Sequence, residues 1–321
     1  MAKQKVALSK EERSKKIRKE IQSYTRNWIL YLFIIPTIVY YIVFHYIPIY
    51  GIQIAFQNYH VGEVFGESEW VGLKHFIKFF NSAWFTTILK NTLSISLLNF
   101  LGFPLPIILA LLLNEVKNMK FRKLVQTVTY APHFISVVVL CGAVNLFLSP
   151  TNGIIGIFIN ELRAIMGLDA INIMTKGNMF KWIYVLSGIW QGTGWASIIY
   201  FAALAGVDPQ LVEAARVDGA NKVQCIWHIN LPVLIPTIVI QLILQSGSIM
   251  SVGYEKVYLL QNDAILRSSE VISTYVYRTG LQGAQYSFST AVSLFNSVVN
   301  AAVLIIVNTI TRKLSSENSL W

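Results

Sequence analysis

Six apolar stretches, each long enough to cross a membrane, govern what this chain can fold into. A helix needs about 20 mostly apolar residues to cross the hydrocarbon of a bilayer. Hydrophobic residues make up 54% of the 321 positions, and charged residues only 13%. We therefore predict an all-α, polytopic membrane protein with six transmembrane helices. The six stretches cover residues 27–47, 90–113, 124–148, 182–206, 232–253 and 286–310.

The positions of Lys and Arg predict how these helices are oriented. Of the 26 Lys and Arg residues, 17 fall before the first stretch, in the connections on that same side, or after the last stretch. Cytoplasmic segments of membrane proteins are enriched in these residues. We expect a basic cytoplasmic segment at 1–26, a transmembrane domain at 27–313 and a cytoplasmic tail at 314–321. The net charge of +10 then reflects topology, and no basic patch interleaved with aromatic residues indicates a nucleic-acid partner.

Sequence motifs for catalysis and metal binding are missing. The two cysteines, Cys141 and Cys225, are far apart, and the five histidines include no H-E-x-x-H pair. The sequence contains no G-x-x-x-x-G-K-[ST] loop to cradle phosphates and no G-x-S-x-G elbow. We predict that the chain has no catalytic residue, no metal site and no bound cofactor of its own.

A short charged segment, EAARVDGANKVQCIWHINLP at 213–232, separates two of the most apolar stretches. Just before it, Asp208 is followed by a proline and is placed to cap a helix. Gly219 favours the left-handed conformation that ends a helix. A second short helix is expected from Asn221 until Leu231 and the next proline start the following membrane helix. The residues alone leave two interpretations open, an amphipathic connector and a docking surface for another protein.

The segment resembles the cytoplasmic loop, named after its Glu-Ala-Ala triplet, of permease subunits in binding-protein-dependent ATP-binding-cassette importers. We call residues 208–232 the EAA segment. The match keeps its spacing over twenty residues, at Glu213, Ala214, Ala215, Asp218, Gly219, Ala220, Ile229, Leu231 and Pro232. Four other stretches resemble permeases of the oligosaccharide and polysaccharide branch: YIPIYGIQIAFQNY at 46–59, WVGLKHFIKFF at 70–80, LKNTL at 89–93 and GYEKVYLLQN at 253–262.

The resemblance implies a division of labour among subunits. A permease with the type I importer fold, in the bacterial cytoplasmic membrane, would pair with a second, different permease and with two ATP-binding subunits that carry ATP and Mg²⁺. An extracytoplasmic solute-binding protein would deliver an oligosaccharide or polysaccharide fragment. The EAA segment would dock on an ATP-binding subunit, with Glu213 accepting a charge-assisted hydrogen bond and Gly219 allowing a tight turn. The implied coupling residues are Glu213, Ala214, Ala215, Asp218, Gly219, Leu231 and Pro232.

Polar residues inside the apolar stretches are candidates for the substrate path. A sugar offers hydroxyls for hydrogen bonds and C–H faces for stacking, and intramembrane polar groups tend to face the bundle interior. At a rise of roughly 1.5 Å per residue, three candidates lie about half a bilayer from the EAA segment. These three are Gln191, Trp195 and Gln245, and the further candidates are Trp190, Gln241 and Asn296. The alternative is that such residues join helices to one another, with Gly188 and Gly192 as a close-packing pair.

Two other classes of function remain as alternatives. An ion-coupled secondary transporter ordinarily carries ionisable groups within its membrane helices, whereas the acidic residues here fall in predicted connections or near the ends. A membrane-embedded enzyme would need clustered catalytic groups. The resemblance and the charge-poor stretches both favour the importer permease.

Overall fold

A computed structural model describes residues 28–63 and 67–314. The described residues are almost entirely helical, with no strand beyond an isolated bridge, which confirms the all-α prediction. The helices are α1 (Trp28–Phe56), α2 (Lys74–Phe80), α3 (Phe85–Asn114), α4 (Met119–Phe134), α5 (Val137–Leu148), α6 (Ile154–Ile165), α7 (Gly177–Leu204), α8 (Pro209–Val217), α9 (Lys222–Ser246), α10 (Tyr254–Leu260), α11 (Leu266–Ser269), α12 (Ile272–Val276) and α13 (Tyr286–Leu314). The basic segment predicted at 1–26 lies outside the described residues, as does the predicted tail at 314–321 except Leu314.

The helices that can cross a membrane correspond to the predicted apolar stretches, but two of the crossings are pairs of helices with a bend between them. Four helices, α1, α3, α9 and α13, are each long and apolar enough to cross a membrane. Two further helix pairs, α4 with α5 and α7 with α8, qualify as pairs but are bent by 100° and 77°. Six crossings are obtained when each bent pair counts as one. The described part of the chain is therefore compatible with the six predicted crossings.

The third predicted stretch, 124–148, is not a single straight helix. The chain leaves helical geometry at Ile135, and Ser136 caps the start of α5 by accepting a hydrogen bond from the Val139 N–H at 3.3 Å. Pro132 lies in the short 3₁₀ turn just before the break, and proline weakens helix continuation because it lacks an N–H. The predicted stretch therefore consists of two helices joined at a sharp bend, and Pro132 is the local sequence signal for that bend.

Most of α1 is exposed, and only its last turns are buried. Every residue from 28 to 50 is exposed, and burial begins only in the last turns, where Ala55 is fully buried. A wide π turn at Ile42–Tyr46 precedes Pro48. Because a proline cannot donate to the carbonyl four residues back, a wider turn accommodates the missing hydrogen bond.

Three apolar clusters hold the other helices together, and α7 contributes to two of them. The first joins α7 to α10, with Phe180 packed near Val257. The second joins α2, α3 and α13 around Phe79. The third lies beside the EAA segment, where Tyr200 packs near Leu234 of α9. The helix α7 therefore connects the two ends of the bundle and carries the central polar residues between them.

Candidate functional site

The EAA segment folds locally as its residues predict. The Asp208 side chain caps α8 by accepting a hydrogen bond from the Gln210 N–H at 2.9 Å. Gly219 has a φ of +87°, a conformation that glycine adopts without a steric penalty. Asn221 and Gln224 then form a reciprocal capping box at the start of the next helix. The helix, turn and helix predicted for this segment are confirmed.

The second helix of the segment, however, does not stop where the membrane helix begins. Residues from Lys222 to Ser246 form one continuous helix, α9, that passes through a π turn at Ile226–Asn230 just before Pro232. The predicted short helix is therefore the first part of α9, and the membrane stretch predicted at 232–253 ends earlier, at Ser246. As in α1, the wider turn absorbs the effect of the proline, so that the chain stays helical.

The side chains of α8 that the resemblance singles out lie on the surface. Glu213, Ala214, Asp218 and Gly219 are exposed, and Ala215 is half-buried. Nearby, Leu231 is half-buried and Pro232 is exposed. Arg216, one residue beyond the triplet, approaches Glu115 to 4.0 Å. That contact ties α8 to the connection between α3 and α4 and leaves Glu213 without an ion pair among the described residues.

Apolar side chains on the same surface were missed by sequence reasoning. Leu211 is 58% exposed, Val217 88%, Val223 71% and Trp227 65%. Exposed large apolar groups concentrated on one short segment are typical of a protein–protein contact. The signal was present in the sequence as apolar residues on an otherwise charged helix pair, but their exposure depends on how the segment is folded against the bundle.

A cavity of about 620 Å³ lies along α7, between α3 and α9, and we call it the polar cavity for the amide and hydroxyl groups within its mostly apolar lining. Three of the predicted path residues, Trp195, Gln241 and Gln245, line it. Asn99 and Thr193 line it as well and were not predicted. Amide and hydroxyl groups beside an exposed indole are a suitable lining for a ligand with hydroxyls and C–H faces.

The other three predicted path residues lie elsewhere. The Gln191 side-chain amide donates a hydrogen bond of 2.8 Å to the Ile135 carbonyl, at the break between α4 and α5. Trp190 is 56% exposed and does not line the cavity. Asn296 lies on α13 with its side-chain oxygen buried and without a hydrogen bond among the described residues. Gln191 thus provides a hydrogen-bond donor for the Ile135 carbonyl at the break. Such a donor is needed because a polar backbone atom cannot be left without a partner in hydrocarbon.

The glycines of α7 have distinct surroundings. Gly192 lines the cavity and has open space where a side chain would project, so it is not a packing contact. A Cβ on Gly194 would overlap the Thr129 carbonyl oxygen of α4. The close approach between helix backbones therefore occurs at Gly194, whereas Gly188 lies against the Lys256 side chain and Gly192 faces open space.

Sequence comparison identifies the family. Residues 102–316 match the model of the binding-protein-dependent transport system inner membrane component. The chain belongs to this family. It is the membrane-embedded permease component of such a transport system, and the matched residues include the whole EAA segment and every residue that lines the polar cavity except Asn99.

Relatives of known role extend the match over nearly the whole permease. This chain is 42% identical over 313 residues to the polygalacturonan/rhamnogalacturonan transport system permease protein YteP of Bacillus subtilis. The match covers 97% of this chain and 95% of that one. A permease chain of a bacterial ABC transporter involved in the import of the acidic polysaccharide alginate superposes with a TM-score of 0.82 at 40% identity, covering 92% of this chain and 99% of that chain. A second structure of the alginate transporter, in complex with its alginate pentasaccharide-bound periplasmic protein, gives 0.81 at 40% identity, covering 92% and 97%.

These comparisons settle the class of protein. The multi-pass membrane prediction and the resemblance to importer permeases are confirmed by the family and by structures that share the fold over most of the chain. Membership of this family is consistent with a non-catalytic membrane subunit. The alternative of an ion-coupled secondary transporter finds no support among the relatives.

Proposed function

We propose that this permease forms part of the membrane channel of an ATP-driven importer that takes up oligosaccharides or polysaccharide fragments. The observation that carries the proposal is the 42% identity, along nearly the full length of both chains, to a polygalacturonan/rhamnogalacturonan permease. The superposition on the alginate transporter supports the same class of substrate. The sugar passes along the polar cavity, in contact with Trp195, Gln241 and Gln245.

The EAA segment is the proposed link to the energy source. Its exposed apolar groups at Leu211, Val217 and Trp227 would be covered by an ATP-binding subunit. Glu213, exposed beside them, would accept a charge-assisted hydrogen bond from a basic side chain of that subunit. ATP and Mg²⁺ bind to two such partner subunits, and the permease itself binds no cofactor. Closure of the two ATP-binding subunits then rotates the membrane helices as rigid bodies, so that the sugar path opens in turn to each side of the membrane.

A second, different permease is the proposed neighbour within the membrane. The helix α1 has an apolar surface that is exposed from residue 28 to residue 50. The polar cavity is also bounded on one side only, by α3, α7 and α9. A second permease would pack on α1 and complete the cavity wall. An extracytoplasmic binding protein delivers the sugar at the end opposite the EAA segment, and both termini are cytoplasmic.

The test of this proposal is isolation of the intact assembly. The permease carrying an affinity tag would be purified from native membranes in mild detergent, and the co-purifying proteins would be identified by mass spectrometry. We expect an ATP-binding subunit in one-to-one ratio with total permease, and a second permease in equal amount to the first. Isolation of the permease alone, or only with copies of itself, would contradict the proposal.

A further inference from the structure

A lysine lies almost completely buried at the end of the bundle opposite the EAA segment. Lys256, on α10, has 9% of its surface exposed. Its Nζ donates a hydrogen bond of 2.7 Å to the Tyr184 carbonyl oxygen of α7 and lies 4.6 Å from the centre of the Tyr184 ring. Both contacts are to neutral groups. An ammonium has three donors, so this lysine holds a charge that its surroundings do not neutralise.

Glycine at position 188 allows the ammonium to reach α7. A Cβ built on Gly188 would lie 3.1 Å from the Lys256 Nζ, and it would meet no other atom nearby. Any larger residue would fill the notch through which Nζ reaches the Tyr184 carbonyl. Gly188 itself lines the polar cavity. Gly188 therefore borders both the Lys256 ammonium and the cavity.

Acidic groups do not compensate the charge of Lys256. The ion pairs within the described ranges join other residues. The titratable groups facing it are Cys141 of α5 and Tyr184 of α7, and Glu255, its neighbour on α10, is exposed. Burial lowers the pKa of Lys256 to about 8. Because burial of an unpaired charge is unfavourable, a passing carboxylate would be a better partner than the peptide carbonyl.

Two of the relatives described above are named for polymers that carry such a carboxylate. Alginate is described as an acidic polysaccharide, and polygalacturonan is a polymer of a uronic acid. We infer that Lys256 is a specificity-determining residue, which binds the carboxylate of a uronate-bearing oligosaccharide where it enters the polar cavity and so selects anionic sugars over neutral ones. The inference rests on the proposed import of oligosaccharides and assigns the charge of the substrate.

During transport, Lys256 exchanges the Tyr184 carbonyl for the carboxylate of the sugar as its hydrogen-bond partner. In the absence of sugar, Lys256 holds the Tyr184 carbonyl and thereby ties α10 to α7. When the two helices separate, the ammonium is released to the carboxylate and the two charges neutralise each other. The remaining hydroxyls of the sugar then meet the amides of Gln241 and Gln245. A purely structural role for Lys256 would require the hydrogen bond but not the charge.

The test compares a charged and an uncharged form of one sugar. The complete importer with its binding protein would be reconstituted in proteoliposomes, and ATP-dependent uptake of trigalacturonate and of its methyl ester would be measured for the wild type, Lys256→Gln and Lys256→Arg. Each variant is compared with the wild type for the same sugar, so that the preference of the binding protein cancels. Loss of one charge-assisted hydrogen bond should lower trigalacturonate uptake about tenfold in Lys256→Gln, with uptake of the ester unchanged.

A pH profile gives a second readout that does not depend on the glutamine variant. Since the lysine loses its charge as the pH rises through about 8, wild-type uptake of trigalacturonate relative to the ester should fall between about pH 7 and about pH 9. The sugar carboxylate stays charged throughout this range, and an arginine at 256 would too, so Lys256→Arg should show no such fall. Equal losses for both sugars in Lys256→Gln, or identical pH profiles for wild type and Lys256→Arg, would overturn the inference. If the wild type takes up a neutral oligosaccharide but neither of these two sugars, the inference fails and the proposed function stands, whereas failure to take up any oligosaccharide in the presence of ATP would contradict the proposed function.

Discussion

The indole of Trp195 lies parallel to the imidazole of His133, with ring centres 4.5 Å apart and ring planes within 2° of each other. The two residues come from different helices, α7 and α4. Phe134 meets the same indole edge-on at 5.7 Å. These contacts fix the orientation of Trp195 beside the polar cavity while 45% of its surface remains exposed. One face of the indole is thus occupied by the protein and the rest is available to a ligand.

Replacement of Trp195 should therefore reduce transport without dismantling the permease. Aromatic stacking contributes about 0.5–1.5 kcal/mol beyond the area buried, so Trp195→Ala should lower ATP-dependent sugar uptake by roughly tenfold at most. Trp190→Ala is the matched control, because Trp190 lies on the same helix, is also about half exposed and does not line the cavity. Uptake assays in vesicles measure both. Equal losses in the two variants would argue that the sugar does not pass along this cavity.

A methyl group at Gly194 should destabilise the contact between α7 and α4. The added Cβ would overlap the Thr129 carbonyl oxygen, which belongs to a helix backbone and cannot rotate away. Overpacking of this kind costs about 1–3 kcal/mol, so the melting temperature of the purified assembly should fall in Gly194→Ala. Gly192→Ala, two residues away in open space, should leave it unchanged. A result with the two variants indistinguishable would mean that the helices separate more easily than their contact suggests.

Charge reversal in the EAA segment should uncouple the permease from its energy source. Glu213→Lys replaces an exposed carboxylate, so the permease should still fold and insert, but the partner's basic side chain would be repelled. Loss of one charge-assisted hydrogen bond, worth about 1.5–3 kcal/mol, predicts at least a tenfold drop in transport-linked ATP hydrolysis. Glu161→Lys, on the exposed surface of α6, is the control. Normal sugar uptake in Glu213→Lys would rule out a docking role for this residue.

The buried carboxyl of Glu270 should make the stability of the assembly depend on pH. Glu270 is 1% exposed and lies 3.2 Å from Arg278. Burial raises the pKa of Glu270, and the positive charge of Arg278 opposes that rise. A carboxyl with a raised pKa binds its proton more tightly in the folded state, so its stabilising contribution is present below the ordinary pKa and is lost as the pH rises through the folded-state pKa.

The Glu270→Gln variant removes this titration. Its melting temperature should therefore improve relative to the wild type as the pH rises from about 4 to about 8. Glu255→Gln, at an exposed position, should follow the wild type at every pH. Thermal unfolding of the detergent-solubilised assembly measures the difference. A gap between Glu270→Gln and the wild type that stays constant with pH would show that the carboxyl is equally charged in both states.

Local chemistry was predictable from the sequence, and long-range contacts were not. The turn of the EAA segment follows from Asp208, Gly219 and Asn221, each of which acts on residues within three or four positions of itself. The break at Ile135 also follows from local signals, Pro132 before it and the capping residue Ser136 after it.

Gln191 shows why the cavity could be predicted only in part. Its position along α7 is as suitable for a ligand as that of Trp195, and helical rise alone does not distinguish them. The difference arises because the break between α4 and α5 leaves the Ile135 carbonyl free to accept from Gln191. Likewise, the exposure of α1 from residue 28 to residue 50 depends on how the whole chain packs, and no local sequence pattern predicts it.

The continuity of α9 gives the permease a mechanical element. The helix has 25 residues, so at about 1.5 Å per residue its ends are roughly 37 Å apart, and a tilt of roughly 10° about one end displaces the other by about 6 Å. Lys222 stands at one end, and Gln241 and Gln245 line the cavity near the other. We expect the helix to act as a lever, so that a displacement of the EAA segment moves Gln241 and Gln245 in the cavity wall directly. Bending at its π turn would then reduce the displacement that reaches the cavity wall.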